Sequence, residues 1–335
     1  MRQECPNCEI LILRNGIQDL PQGTDVAEKD VFYQDSVFLL REIYIRKKGK
    51  GNALNEGIRH ARNDLICVLD ADCVLQEDAL SEAVKHFRND EVVAVGGRLL
   101  VKREDSSQLE AIQFCEYMKA FQLSRRIFAR LNAQCLISGA FGVFRKSTLL
   151  GMNGYDIDTV GEDMELVLRL QKQGFQQSKK QIVYEPTAIC YTGVPHSIKR
   201  LLHQRDRWQR GLMDCLIKHH NLIANPRYGL LGLVTMCYQL MVELLGPIFW
   251  VIYTVLLIDK NMFPFFSVAF VGYALVQIGL TIFAAYIDTE KNMGSLLRWI
   301  PKLIFTTIEE MVLQIPIMVA RVVGMITFHW RRMVW

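Results

Sequence analysis

This chain has little excess charge of either sign: 39 lysines and arginines stand against 35 aspartates and glutamates, a net of +4 at pH 7. That balance argues against nucleic acid as a partner, because a phosphate-binding face needs a basic stripe, and none interleaved with aromatics is present. The nine cysteines lack the spacing of a disulfide framework, which fits a reducing compartment. Cys5-Pro-Asn-Cys8 is one Cys-x-x-Cys pair with no second pair at zinc spacing, so neither a metal knuckle nor a redox site is expected. No signal peptide is expected ahead of the first strand. Charge itself then becomes scarce. It is frequent up to about Arg227 and sparse from Tyr228 to Tyr286, which divides a globular cytosolic part from a membrane part.

Within the charged part, Leu65-Ile-Cys-Val-Leu-Asp-Ala-Asp72 organises the rest. A continuous apolar run of this length suits a strand buried on both faces, as in a parallel sheet covered by helices. Asp70 and Asp72 then stand at its carboxyl end, where open α/β sheets bind ligands. Two carboxylates there can hold Mg²⁺ or Mn²⁺ through hard oxygen ligands, and such a cation in a cleft usually serves a phosphorylated substrate. A strand-to-helix turn with helix-capping acids is the competing reading, of equal weight by position alone. A second triplet, Asp156-Ile-Asp158, has no strand leading into it and reads as a polar loop. A helix over Gln76–Phe87 and a strand at Glu91–Gly97 complete a strand, helix, strand crossover of a parallel sheet.

Upstream, Glu9–Leu13 is a short strand, and Val37–Leu40 and Ile43–Ile45 are strand-like. They lead to Gly49-Lys50-Gly51 and a helix from about Asn52 to Arg62, placing Lys50 near a helix N-terminus that favours anions. A solvated basic loop is the competing reading. Downstream, Gln108–Leu131 reads as a long amphipathic helix whose aromatics are core residues. Leu136–Arg145 carries small residues where backbone must approach a strand or a substrate closely. Gly161–Gly174 reads as a capped helix. Met164, Val167, Leu168 and Gln171 share one stripe of it, turning Asp163 toward the helix mouth, a position from which a carboxylate can act as general base. The commoner role of Glu162 and Asp163 is to complement the helix dipole.

After a strand over Gln181–Tyr191 comes Leu201-Leu-His-Gln-Arg-Asp-Arg-Trp-Gln-Arg-Gly211. On a helix, Gln204, Arg207 and Trp208 share one face, which combines an amide, a guanidinium that can pair with phosphate and an indole that can stack on a sugar. The segment also reads as an interfacial membrane helix. Apolar runs follow at Tyr228–Ile258 and Met262–Ile287, separated by Asp259-Lys-Asn. A poorer one at about Leu303–Phe328 is interrupted by Glu309, Glu310, Gln314, Pro316 and Arg321. Polar groups at membrane depth face a cavity or a bundle interior, so this segment either lines a channel or lies partly on the surface. Lys291, Arg298 and Lys302 before it and Arg331 and Arg332 after it leave the number of spans open under the positive-inside rule.

Together Lys50, Asp70-Ala-Asp72, Glu162-Asp163 and Gln204-x-x-Arg207-Trp208, in this order and followed by membrane spans, resemble the membrane-embedded, processive glycosyltransferases of family 2, such as cellulose, hyaluronan, chitin and poly-N-acetylglucosamine synthases. The resemblance implies an α/β GT-A fold, Rossmann-like with a mostly parallel sheet, followed by an α-helical membrane region. It implies a catalytic domain over 1–198, an interface helix over 199–227 and two to three membrane helices over 228–335. It also implies an inverting transfer from a nucleotide-diphosphate sugar, a uridine diphosphate sugar by analogy, to a polysaccharide end. Asp72 would bind Mg²⁺ or Mn²⁺ at the donor diphosphate, Asp70 would help hold nucleotide and metal, and Lys50 would contact the nucleotide or its phosphates. Glu162 would belong to the substrate site and Asp163 would be the base. Gln204 and Arg207 would secure the leaving diphosphate, and Trp208 would form the floor under the acceptor sugar. The implied setting is a multi-pass protein of the cell (inner) membrane with a cytoplasmic catalytic domain, in contact with the lipid bilayer and with an accessory subunit as a further partner.

The resemblance has departures. The family's leading membrane helix and first strand are not matched. Glu9–Asp19 aligns with its second strand, with Asn15 in place of the aspartate assigned to the base and Ile17 in place of serine, while Asp19 survives. A truncated, partner-dependent fragment is therefore the alternative expectation, and a non-processive transferase to a lipid-linked acceptor a further one.

Overall fold

The computed structural model describes residues 8–21, 23–31, 39–102, 107–177, 180–258, 263–289 and 293–331. Cys5, Val37, Phe38, Asp259–Met262, Lys291 and Arg332, on which sequence readings rested, lie outside them. The strands are β1 (Glu9–Asn15), β2 (Val26–Val31), β3 (Leu39–Ile45), β4 (Leu65–Leu69), β5 (Cys73–Leu75), β6 (Val92–Val101), β7 (Phe141–Arg145) and β8 (Gln181–Thr192). The main helices are α1 (Lys50–His60), α2 (Ala79–Val84), α3 (Gln108–Lys119), α4 (Arg126–Arg130), α5 (Lys146–Gly151), α6 (Glu162–Gln177), α7 (Ile198–Lys218), α8 (Gly246–Ile258), α9 (Phe263–Asp288) and α10 (Met293–Ile326). They form two compact units, one of 1–98 with 135–190 and one of 99–134 with 191–335.

The first unit holds a three-stranded sheet ordered β1-β3-β2 and a five-stranded sheet ordered β4-β7-β6-β8-β5. The sheet expected to be mostly parallel is mixed. β1 and β3 are parallel, but β2 is antiparallel to β3, and β7 is antiparallel to both β4 and β6. β4 and β6 thus run the same way, as a crossover through α2 requires, with β7 between them. A continuous apolar run reports burial on both faces rather than strand direction, which is why the reading missed β7. Glycine makes the insertion possible: Gly142 pairs in register with Val68 on one side and Gly96 on the other. A Cβ on Gly97 would come within 2.1 Å of the Phe141 ring and 2.7 Å of the Ala188 carbonyl oxygen.

Helix α6 packs its stripe of Met164, Val167, Leu168 and Gln171 inward, all four buried. Val167, Leu166 and Leu170 join Val68, Val93 and Phe144 of the sheet in one core. The helix continues past Gly174, where the sequence reading closed it, to Gln177.

In the second unit, α3 is capped by Ser107, whose Oγ accepts the Glu110 N–H. It runs through a wide π turn at Ala120–Arg125 into α4, so the expected single helix is present with one change of pitch. Phe121 is buried, and Phe114 packs with Met118, Ala284 and Leu296. Among the described residues, three helical segments have the length and apolar composition of membrane spans: Leu231–Leu256, Ser267–Asp288 and Leu296–Ile326. Three of the charges in the third, Glu309, Glu310 and Arg321, have polar partners. Glu310 receives Lys119 Nζ at 2.8 Å, and Glu309 receives the Gln108 amide. Arg321 donates to Gln209 Oε1 at 2.7 Å and to Glu243 Oε2 at 3.0 Å. Isolated charges at such positions are costly, and each of these has a partner.

Candidate active site

The first cluster grows from the turn before α1. Gly49 has φ of +119°, a backbone region open to glycine, and its N–H donates to Asn15 Oδ1 at the end of β1, 3.1 Å away. This turn makes Lys50 the first residue of α1. Lys50 Nζ lies 2.7 Å from Asp70 Oδ1 and 3.7 Å from Glu162 Oε1, and donates to the Gly139 carbonyl at 3.4 Å. Burial pulls the Lys50 pKa down, but Asp70, Glu162 and Asp163 outweigh it and hold the pKa above the usual lysine value.

Asp70 follows β4 directly, its N–H donating to the Ala140 carbonyl at 3.2 Å. Asp163, in the first turn of α6, accepts at both oxygens: from the Gly139 N–H at 3.0 Å and from the Met164 N–H at 2.8 Å. Those bonds fix the orientation of its carboxylate. The structure therefore brings Lys50, Asp70, Glu162 and Asp163 together, with Glu162 only 5% exposed.

Gly139 is the residue of this cluster that the sequence reading did not name. Its N–H holds Asp163 and its carbonyl holds Lys50, and a Cβ there would stand 3.0 Å from Lys50 Nζ and 3.4 Å from Asp163 Oδ2. The signal was the run of small residues at 136–145.

Asp72 is exposed, with Cys73 Sγ 3.6 Å from its Oδ1. Burial pushes the Cys67 thiol up to about 12, and a hydrogen bond with Cys73, then burial, raises Cys190. Asp70 and Asp72 offer carboxylate oxygens, donors suited to a hard cation. Among the described residues no group of three His, Cys, Asp or Glu could close around a metal. One or two carboxylates, completed by substrate phosphates and water, suit Mg²⁺ or Mn²⁺. The Asp156–Asp158 triplet is a loop in which Asp156 Oδ1 accepts the Asp158 N–H.

The second set lies in the other unit, on α7, whose start is capped by Ser197. Gln204, Arg207 and Trp208 share one face at i, i+3 and i+4. Trp208 is 43% exposed. Gln204 Oε1 is buried without a hydrogen-bond donor among the described residues. The helix packs closely on α10 at Gly324, where a Cβ would stand 2.8 Å from Asp206 Oδ1.

The chain is similar to known proteins over most of its length. Residues 65–286 match the family described as glycosyl transferase family group 2. A poly-beta-1,6-N-acetyl-D-glucosamine synthase of Staphylococcus epidermidis is 29% identical over 321 residues, 90% of this chain and 74% of that protein. Its counterpart in Staphylococcus aureus strain COL is 32% identical over 252 residues, 74% of this chain; the match spans 56% of the relative's length. A mannosyltransferase, PcManGT from Pyrobaculum calidifontis, solved with GDP-Man and Mn²⁺, aligns over 88% of this chain and 71% of its own with a TM-score of 0.51 at 18% identity. That likeness shows the expected GT-A fold.

Proposed function

The chain belongs to glycosyl transferase family group 2, and on that premise we propose that it is a membrane-bound, inverting synthase that adds N-acetylglucosamine from a uridine diphosphate sugar to the end of a polysaccharide at the cytoplasmic face. The observation that carries this reading is the Asp163 carboxylate, oriented by two backbone N–H groups beside Lys50, Asp70 and Glu162. The choice of sugar rests on the two staphylococcal relatives, whose names specify it.

In this reading Asp163 takes the proton of the acceptor hydroxyl as that oxygen bonds to the anomeric carbon. The bond from that carbon to the diphosphate oxygen breaks on the opposite side, its electron pair leaving with the nucleotide, so the configuration inverts. Lys50 lies against the diphosphate and keeps its charge among the acids. Gln204 and Arg207 hold the departing diphosphate, and Trp208 stacks under the acceptor sugar. Asp72, with Asp70, would hold Mg²⁺ or Mn²⁺, which when bound neutralises charge developing on the leaving group.

The test is incorporation of radiolabel into high-molecular-weight glycan by membranes containing this chain. Labelled uridine diphosphate N-acetylglucosamine and uridine diphosphate glucose are each offered with Mn²⁺ or with a chelator. Polymer formed from the N-acetylglucosamine donor and lost with the chelator is expected. Label confined to a lipid extract would replace the synthase reading with transfer to a lipid-linked acceptor. Metal-independent incorporation would remove Asp72 from its assigned role.

A further inference from the structure

One face of the Trp208 indole is already occupied. The guanidinium carbon of Arg205 lies 4.4 Å from the ring centroid, within the range of a cation–π contact. Arg205 is only 6% exposed, and its Nη2 donates to Glu116 Oε2 at 2.6 Å, a charge-assisted bond of the strong kind. Glu116 sits on α3, and three residues further along the same helix Lys119 pairs with Glu310 at 2.8 Å. The cation over the indole is therefore tied at its far end to a helix that is itself tied to α10. Yet Trp208 remains 43% exposed, so part of the residue is open to solvent beside that contact.

We propose that Arg205, held by Glu116, is the positioning residue that fixes the Trp208 indole and leaves a single face of it to stack on the acceptor's terminal sugar. This rests on the reading of Trp208 as the acceptor floor. The guanidinium restrains the ring against rotation about its side-chain torsions, so the floor is set before the acceptor arrives and the entropy of ordering it is not charged to binding. Glu116 sets where the guanidinium stands. Neither residue touches the reacting atoms, so the effect falls on acceptor binding rather than on donor binding.

The experiment uses the full chain in detergent with the metal present, a sugar donor and a soluble oligosaccharide of N-acetylglucosamine as acceptor, each varied while the other is saturating. It measures acceptor KM, donor KM and kcat. Arg205→Met is expected to raise acceptor KM about tenfold while donor KM stays within about twofold, and Arg205→Lys, which keeps a cation near the ring, to recover most of that loss. The double variant Glu116→Arg with Arg205→Glu rebuilds an ion pair between α3 and α7 but puts a carboxylate beside the indole. Its acceptor KM is expected to stay high, whereas a merely structural pair would be rescued by the swap. Normal acceptor KM in Arg205→Met, or its restoration in the charge-swapped protein, overturns the proposal. Trp208→Ala separates the premise: if it leaves acceptor KM unchanged, the acceptor-floor reading falls and the proposal with it. If it raises acceptor KM while Arg205→Met does not, only the proposal falls.

Discussion

Replacing Lys50 by methionine removes the cation from a site that holds Asp70, Glu162 and Asp163. The lysine is 2.7 Å from Asp70 and 3.7 Å from Glu162, with side-chain exposures of 30%, 36% and 7% for Lys50, Asp70 and Glu162. Exposed pairs are worth about 0–1 kcal/mol, and breaking a buried pair costs about 3–5 kcal/mol. The Asp70 contact stands near the first limit and the Glu162 contact nearer the second, so Lys50→Met should destabilise the first unit by about 2 kcal/mol. Methionine conserves the volume of the side chain, which keeps the packing contribution small. The assay is a double-mutant cycle with Asp70→Asn, read as chemical denaturation of purified protein without metal. The two changes should be less than additive by about 1 kcal/mol, because the second removes one of the charges that the first leaves unpaired.

The pH dependence follows from the raised Lys50 pKa. A lysine whose folded pKa lies above its unfolded value contributes stability that is fully present below about pH 10.4 and lost as pH rises through the folded value. The gap between wild type and Lys50→Met should therefore be constant from about pH 6 to 9 and close only in strong alkali. A variant as stable as the wild type, full additivity in the cycle, or a gap that closes below pH 9 would refute the reasoning.

At Gly139 the added methyl of Gly139→Ala meets Lys50 Nζ at 3.0 Å and Asp163 Oδ2 at 3.4 Å, so the lysine tip gives way and the carboxylate shifts. Turnover should drop about tenfold with denaturation midpoint nearly unchanged; an equal loss of stability and activity would assign the glycine to the fold instead. Gly324→Ala puts a Cβ 2.8 Å from Asp206 Oδ1 and 3.0 Å from the Asp206 carbonyl oxygen. Because that neighbour is partly backbone, α7 and α10 must separate, at a cost of about 1–3 kcal/mol. Thermal unfolding in detergent should show it, and an unchanged midpoint would mean that the two helices are not packed as described.

How much of this was legible depends on whether side chains or backbone carry the feature. The strand into Asp70 and the inward stripe of α6 were readable, because an apolar run and a helical period both show in side-chain type, although only Val68 of β4 is fully buried and its other four residues are partly exposed. The three apolar segments were readable for the same reason, as was the shared face of Gln204, Arg207 and Trp208. Gly139 was not, since its contribution is a peptide group offering N–H to one functional residue and C=O to another, and glycine in a small-residue run looks the same whatever it bonds. β7 escaped because its neighbours are set by non-local pairing, Gly142 between Val68 and Gly96. Arg205 was overlooked as one of the unspecified positions within Gln-x-x-Arg-Trp, because its partner Glu116 lies 89 residues earlier. The polar interruptions of the third apolar segment were visible as anomalies, but their partners, Lys119 for Glu310 and Glu243 for Arg321, come from helices far away in the chain.

The most direct test of the site is Asp163→Asn, measured for donor binding and for transfer on the same preparation. Asparagine keeps the size of the group and an oxygen for one N–H bond but cannot take up a proton at neutral pH. If Asp163 is the base, the variant binds the labelled donor in the presence of Mn²⁺ within about threefold of wild type while transfer falls by about 10²–10⁴-fold. Transfer that survives Asp163→Asn at more than about a tenth of the wild-type rate would contradict the assignment and with it the central reading of this site.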